Sequence, residues 1–192
     1  HTLLTDLGFE NINRITPIPD QVPFKSLSKT HIHIIKTIAQ LQTNQYYFVF
    51  EDDIELANGL HRKDFFKFVQ DDLSTINTKN KVEFIYLGAC LENDIVHSGG
   101  HAFEKHCSKD KCKCWCAHAY MLTPKGARWI LQHSNETVWE NHHADFYFLK
   151  LFSQPLIGYH YTHDHTSPGW RGLFYQARKA PWYEIGNNEK ID

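Results

Sequence analysis

The chain has 192 residues, of which 42% are hydrophobic and 22% are charged, and its net charge is −2. This length suits one domain with a substantial core, and we expect a single domain over residues 1–192. The near-neutral charge argues against a broad nucleic-acid-binding surface, so we expect no nucleic-acid partner. No apolar run approaches the roughly 18 residues of a membrane span, and we expect no transmembrane segment.

The first quarter of the chain alternates helix-like and strand-like segments. In chain order they are a short helix in "HTLLTDLGF", a weak strand in "INRITPIP", a helix in "SLSKTHIHIIKTIAQLQ" and a strand in "YYFVF". We expect the first helix to end at Gly8 and the second to have Ser26 or Ser28 as its N-cap. The last segment is apolar on both faces, which is typical of a central, parallel strand covered on both sides.

The alternation continues beyond residue 60. It predicts a helix in "RKDFFKFVQDDLSTI", strands in "VEFIYLGA" and "CWCAHAYML", helices in "TPKGARWILQH" and "HADFYFLKLF", and a strand in "LIGYHY". Thr123 is the expected N-cap of the second of these helices, with Pro124 in its first turn. We expect an irregular tail over residues 166–192. Together the segments predict an α/β fold with a mainly parallel central sheet.

Three acids, Glu51, Asp52 and Asp53, directly follow the strand "YYFVF". Open α/β sheets bind ligands at the carboxyl ends of their strands. Carboxylate oxygens suit Mg²⁺ or Mn²⁺, and such an ion would offset the repulsion among the acids and stabilise a phosphate leaving group. The alternative is a solvated turn whose acids favour a helix N-terminus. This stretch by itself leaves both interpretations open.

Five blocks of the sequence carry a resemblance to a known family. They are "SKTHIHIIKTI", "YYFVFEDDIEL", "FIYLGAC", "HAYMLTPKGARWIL" and "HADFYFL". In order and spacing they resemble glycosyltransferase family 25, the lipopolysaccharide and procollagen-type glycosyltransferases, over about residues 2–160. The family usually opens with an apolar strand and an Arg-rich turn that helps to hold the nucleotide. This chain begins after that point, so we expect the opening strand to be missing.

The resemblance implies a GT-A fold, which is a Rossmann-like αβα sandwich. It also implies an inverting transfer that needs Mn²⁺ or Mg²⁺. The donor would be a nucleotide sugar, UDP-linked, and the acceptor a hydroxyl of a glycan or another glycoconjugate. No feature of the sequence identifies the sugar.

The resemblance also assigns roles to the acids and to one helix. Asp53 resembles the metal-binding end of the acidic motif, while Glu51 and Asp52 would contact the donor's ribose and sugar or support the metal. Thr30 and His31 stand where the family has a Ser-His pair, and they would lie near the donor.

Two further candidates lie in the last third of the chain. Asp145 is expected on the apolar face of its helix, where it is either a general base for the acceptor hydroxyl or an acid stabilised by the helix dipole. The family carries a functional Asp in this segment, which favours the base. His165, or failing that His163, would complete the metal site, as a histidine does in several GT-A enzymes. The alternative for both histidines is a polar loop.

His118 and Tyr120 lie on one predicted strand and are expected to face the same way. They would line the sugar pocket or, equally well, pack in the core.

Four cysteines, Cys107, Cys112, Cys114 and Cys116, crowd together. Structural Zn²⁺, a disulfide and free thiols are all compatible with them, although the usual Cys-x-x-Cys pair of a zinc site is missing.

Two other functions remain compatible with the residues. One is a metal-dependent phosphohydrolase or nuclease that uses the same acids and histidines, and the other is a zinc-stabilised, non-catalytic binding module. An odd count of five cysteines without a secretory signal indicates a reducing compartment. We therefore expect a cytoplasmic enzyme of bacterial or viral type rather than one of the ER or Golgi lumen.

Overall fold

The computed structural model describes residues 2–56, 65–67, 69–70, 73, 83–91, 102–105, 114–135, 143–144, 159–162, 170–172 and 174–176. The helices are α1 (Thr2–Asp6), α2 (Pro23–Ala39) and α3 (Pro124–Gln132). The strands are β1 (Tyr47–Phe50), β2 (Ile54–Leu56), β3 (Phe84–Leu91), β4 (Ala102–Lys105), β5 (Cys114–Leu122), β6 (Tyr159–Thr162), β7 (Trp170–Gly172) and β8 (Phe174–Gln176). Residues 65–67, 69–70 and 73 are also helical, as predicted. No described helix has the length and apolar character that crossing a membrane requires.

The main sheet has the strand order β1-β5-β3-β6-β4, and β7 pairs with β3 as well. Among the described pairings in this sheet, β3 with β6 is parallel and the others are antiparallel. The α/β class is therefore confirmed, but the prediction of a mainly parallel sheet is wrong for these strands. A two-sided apolar pattern shows that both faces of a strand are covered, and it carries no information about the direction of the neighbouring strand.

Strand β1 illustrates this difference. It pairs antiparallel with β5 and lies at the end of the described strand order, so the expected central, parallel position is wrong. Both of its faces are nevertheless covered. Tyr47 and Val49 belong to one hydrophobic cluster, whereas Phe48 and Phe50 pack against the other. Since side chains alternate along a strand, β1 separates the two clusters.

The first cluster fills the space between the sheet and helices α2 and α3. Its buried members include Ile32, Ile35 and Ile38 of α2, which confirms the predicted apolar stripe. Tyr120 and Leu122 supply the sheet side of this cluster. Complete burial of an aliphatic side chain of this size contributes about 1.5–3 kcal/mol, so the stripe is enough to hold the helix on the sheet.

The second cluster covers the opposite face of the sheet and is rich in aromatic rings. Phe9 packs against this cluster, with its ring centroid 5.0 Å from that of Phe48 and 5.0 Å from that of Phe66. Phe65 and Val69, from the helical residues after β2, are buried beside it. Helical segments therefore pack on both faces of the sheet in the part of the chain that the structure describes.

The start of α2 differs from the prediction. The helix begins at Pro23, with Val22 in the cap position and no side-chain cap, so neither Ser26 nor Ser28 is the N-cap. Proline favours the first helical position because its missing N–H would have no partner there. Ser26 instead donates its hydroxyl proton to the Ile18 carbonyl at 2.6 Å, and Ser28 is buried within the helix.

The segment "INRITPIP" forms no strand, so that prediction is wrong. Its two prolines lack the N–H groups that a strand ladder needs. The Ile18 N–H is bonded to the Thr30 hydroxyl at 2.9 Å and is therefore not available to a neighbouring strand.

The ends of two helices follow the predicted cap chemistry. Gly8 has a φ of 95° and ends α1, with bonds from Gly8 N to Thr5 O and from Phe9 N to Leu4 O. This is the Schellman arrangement, in which a left-handed residue satisfies the last carbonyls. At α3, the Thr123 hydroxyl accepts from Gly126 N at 3.1 Å, as an N-cap should.

The tail is not irregular throughout. Strand β7 pairs with β3, and β8 pairs with β2 in a separate two-stranded sheet, so the expectation is wrong for these residues. Their partners lie 80 or more positions earlier in the chain. Such short strands depend on distant backbone pairing, which leaves little trace in the local sequence.

A buried acid, Glu83, lies at the start of α3 and is only 4% exposed. Its carboxylate accepts the Thr123 hydroxyl proton and lies 3.1 Å from Nζ of Lys125. The positive end of the helix dipole also stabilises a negative charge at this position. Burial raises the pKa of Tyr46 to about 12, and the nearby charge of Glu83 adds to that shift.

Close packing at this site determines the effect of Gly126→Ala. Alanine in a helix is normally about 1 kcal/mol better than glycine. Here an added Cβ would overlap the Glu83 carbonyl oxygen and lie 3.0 Å from its carbonyl carbon. We expect a loss of about 1–3 kcal/mol in the free energy of unfolding, measured with urea. Gln132→Ala, at an exposed position of the same helix, is the control and should lose less than about 0.5 kcal/mol. A Gly126→Ala variant as stable as the parent would contradict the tight contact.

Candidate functional site

The three acids form the turn between β1 and β2. The Glu51 N–H donates to the His118 carbonyl at 2.9 Å, which continues the pairing of β1 with β5 by one residue. Asp52 and Asp53 then form the turn itself. Asp52 is exposed, Asp53 is partly buried, and the side chain of Glu51 is 12% exposed. The three carboxylates therefore occupy different environments, and only part of their charge is screened by water.

Glu51 lies next to a buried histidine. His31, on the sheet-facing side of α2, is 3% exposed, and its Nε2 lies 3.7 Å from Oε1 of Glu51. This is an ion-pair separation rather than that of a well-formed hydrogen bond. An imidazole at this position can place either an N–H dipole or a positive charge opposite the carboxylate.

The other ring nitrogen of His31 contacts the sheet. Its Nδ1 lies 2.9 Å from the Tyr120 hydroxyl in the middle of β5. Tyr120 is completely buried, and its ring stacks on that of Phe84 at a centroid distance of 5.0 Å. Burial raises the pKa of Tyr120 far above its ordinary value, and the charge of Glu51 adds to the shift. The phenol therefore keeps its proton under all ordinary conditions.

These contacts bring three predicted site residues together from three elements. Glu51, His31 and Tyr120 form one polar chain that links the end of β1 to α2 and β5. His118 joins the same region through its backbone and is completely buried. Tyr120 and His118 have no solvent-exposed surface, so their proposed role in lining a sugar pocket stays a prediction.

Thr30 does not take part in this chain. Its hydroxyl donates to the Ser26 carbonyl at 2.8 Å and accepts from the Ile18 N–H at 2.9 Å. These bonds attach the segment before α2 to the helix. The expected contact between Thr30 and a donor stays a prediction, and the described contacts of its hydroxyl are structural.

Several predicted residues lie outside the described part of the chain. They are Asp145, His163, His165, Cys107 and Cys112. Cys114 and Cys116 lie on β5, where only the backbone is described. Among the described residues, no group of three or more His, Cys, Asp or Glu side chains is close enough to hold a metal ion.

One contact near the site was not predicted from the sequence. The ring of Phe24, in the first turn of α2, stacks on His143 at a centroid distance of 4.7 Å and an interplanar angle of 28°. Ala144 is buried in the first hydrophobic cluster. These contacts hold the backbone just before Asp145 against α2. Phe24 lies in no motif, whereas His143 and Ala144 lie in the block "HADFYFL", which gives no indication of their partners.

A sequence model of glycosyltransferase family 25, described as LPS biosynthesis protein, matches residues 28–148. The match includes most of α2, the acidic turn, β3, β5 and α3, and it also includes Asp145. His163 and His165 lie beyond its end. A comparison with curated proteins finds no match to the chain.

The described bonds of Thr30 can be tested with two variants. Thr30→Val removes the hydroxyl but keeps the shape, which leaves the Ile18 N–H without its acceptor, and we expect a loss of about 1–3 kcal/mol in the free energy of unfolding. Thr30→Ser keeps the hydroxyl and should stay close to the parent. Thr37→Val on the same helix is the control, because its hydroxyl bonds to the His33 carbonyl at an exposed position. Urea unfolding measures all three. Unchanged stability of Thr30→Val, together with weaker nucleotide binding, would favour a role at the donor instead.

Proposed function

Because the chain belongs to glycosyltransferase family 25, we propose that it transfers a sugar from a UDP-linked donor to a hydroxyl of a glycan or glycoconjugate. We propose further that it does so on a GT-A fold, with a divalent metal and with inversion at the anomeric carbon. The observation that carries this proposal is the acidic turn at the carboxyl end of β1, whose first acid lies 3.7 Å from a buried histidine. Family membership favours glycosyl transfer over the phosphohydrolase, the nuclease and the zinc-stabilised module.

The oxygen atoms of the turn fit a hard divalent cation such as Mn²⁺ or Mg²⁺. Asp52 is exposed, whereas Asp53 is partly buried and its Oδ1 has no exposed surface. Asp53 would hold the metal, and His165 would provide a further ligand. Because Mg²⁺ and Mn²⁺ usually take part of their coordination shell from substrate phosphates and water, a small number of protein ligands is sufficient. When bound, the ion would neutralise charge on the departing nucleotide.

Glu51 has a different role from the other two acids. Its side chain is turned towards His31 and is largely shielded from water. A carboxylate in such a place keeps its hydrogen-bonding strength, because little water competes for it. We propose that Glu51 accepts hydrogen bonds from the ribose or sugar hydroxyls of the donor, while Asp52 contacts the donor from the exposed side of the turn.

The acceptor side is assigned to Asp145. In an inverting transfer the acceptor oxygen attacks the anomeric carbon on the face opposite the nucleotide, forming the new C–O bond as the old one breaks. The attacking hydroxyl loses its proton in the same step, and a carboxylate within reach can take it. The contact of Phe24 with His143 supports this assignment, because it anchors the backbone two residues before Asp145 beside the helix that carries His31.

We expect Asp53→Asn to lose metal-dependent donor binding while remaining folded. The amide keeps the size of the side chain but lacks the charge that a divalent cation needs. The loss should exceed the 10–100-fold that is typical when a residue supporting a metal ligand is changed. Calorimetry of UDP in the presence and absence of Mn²⁺ measures the effect. Glu55→Gln, two residues further on and exposed, removes the same charge and is the control. Equal affinity of Asp53→Asn and the parent would exclude Asp53 as a ligand.

Asp145→Asn should leave donor affinity nearly intact and lower kcat by about 10²–10⁴-fold, since general-base catalysis is worth that much. Glu140→Gln, which removes an acid five residues earlier, serves as the control. If Asp145 only stabilises its helix, turnover should stay near normal and the loss should appear as about 1 kcal/mol of stability. Turnover and urea unfolding of the same variant distinguish the two roles.

A further inference from the structure

Among the described residues, the interface between α2 and the sheet is mainly apolar, and it contains a bonded polar pair. The buried apolar side chains of this interface include Ile32, Ile35, Phe84, Leu122, Ala127 and Ile130. Within this surface the Tyr120 hydroxyl and the His31 ring bond to each other at 2.9 Å. A phenylalanine at position 120 would fill the same space without a polar group. Because polar groups are costly to bury, a buried polar pair at the end of the interface next to the acidic turn requires an explanation.

The geometry points to Tyr120 as a positioning residue for the acidic turn. We propose that its hydroxyl donates to Nδ1 of His31, which places the ring proton on Nε2 and directs that N–H towards Glu51. Glu51 is thereby held at the head of the turn, in the orientation that the donor requires. This role in donor binding rests on the proposed function, whereas the hydrogen-bond arrangement itself does not.

The direction of the first hydrogen bond follows from the chemistry of the two groups. A neutral imidazole has one N–H donor and one acceptor nitrogen, and the partner of one nitrogen determines the state of the other. The buried Tyr120 phenol keeps its proton and can donate a hydrogen bond to Nδ1. On the other side of the ring, the Glu51 carboxylate can only accept, which favours a ring hydrogen on Nε2, the nitrogen that faces it.

The Tyr120–His31 contact is shorter than the His31–Glu51 contact, which also fits the proposed arrangement. The Tyr120–His31 separation of 2.9 Å is that of a full hydrogen bond, whereas the His31–Glu51 separation of 3.7 Å leaves room for movement. Tyr120 and His31 are thus the rigid part of the chain. Closure of the remaining gap upon donor binding would bring Glu51 into a full hydrogen bond, as happens in many sites that tighten when the substrate binds.

The tautomer of His31 can be measured directly by ¹H–¹⁵N NMR of the histidine rings. The chain has 14 histidines, and the His31 signals are identified by their loss in His31→Gln. We expect a neutral ring with the proton on Nε2 in the parent protein. In Tyr120→Phe, Nδ1 loses its donor, and the proton should redistribute between the two nitrogens. A parent protein with the proton on Nδ1, or a tautomer unaffected by Tyr120→Phe, would overturn the proposal. If Tyr120→Phe does not fold, the position of the ring proton in the parent protein still tests the proposal.

A double-mutant cycle tests whether Tyr120 acts through Glu51. The probe is UDP with Mn²⁺, and calorimetry measures its affinity for the parent, Tyr120→Phe, Glu51→Gln and the double variant. Loss of one supporting hydrogen bond should weaken binding about three- to tenfold in the parent background. The same change should have almost no effect in the Glu51→Gln background, since the group that it positions is already altered. An equal effect in both backgrounds would mean that Tyr120 only packs in the core.

Tyr47→Phe provides the matched control. It removes a phenol hydroxyl from the adjacent strand, where that hydroxyl bonds to Thr43 at the exposed end of β1. It should change neither the His31 tautomer nor UDP affinity. If the parent protein fails to bind any nucleotide, the proposed donor site is wrong, and the NMR measurement still decides the arrangement of Tyr120 and His31.

Discussion

Burial of β5 on both faces is the constraint on which the rest of the structure depends. Tyr120 and Leu122 face the cluster under α2 and α3, whereas Ala119 and Met121 face the aromatic cluster. A shift of one residue in register would exchange these two sets, so the pairing with β1 and β3 is strongly determined. That register aligns Phe50 with Ala119 and places the next residue, the first acid, just past the ladder. The position of the acidic turn is therefore a consequence of core packing.

One buried and one partly buried acid near the first cluster show how the fold accommodates charge. Glu83 is surrounded by the Thr123 hydroxyl, the Lys125 ammonium and the start of α3, so its charge is compensated within the fold. Glu51 has the more distant His31 and borders a turn that carries two more acids. The first arrangement pairs its carboxylate with a cation and a hydroxyl. The second keeps its carboxylate 3.7 Å from Nε2 of His31, at the start of the acidic turn.

The family match and the described contacts converge on the same part of the chain. The matched residues 28–148 include most of α2, the acidic turn and β5. These are the elements that the polar chain of Glu51, His31 and Tyr120 connects. The stacking of Phe24 on His143 adds the segment before Asp145 to this group. A donor bound at the end of β1 and an acceptor activated by that segment would thus both be held by α2. This helix therefore has a central role in the proposed site.

The sequence by itself determined the elements whose signals are local. The apolar stripe of α2, the Thr123 cap, the Gly8 helix end and the limits of β5 all follow from residue spacing and backbone preference, and the acidic motif with its family blocks indicated the enzyme class. Only the tertiary structure decided strand direction, the pairing of β7 and β8, and the partners of His31 and Thr30. His31 and its partner Tyr120 are 89 positions apart in the chain, and Thr30 and its partner Ile18 are 12 positions apart. Contacts over such separations depend on how the elements pack against one another, and periodicity along a single element does not encode that arrangement.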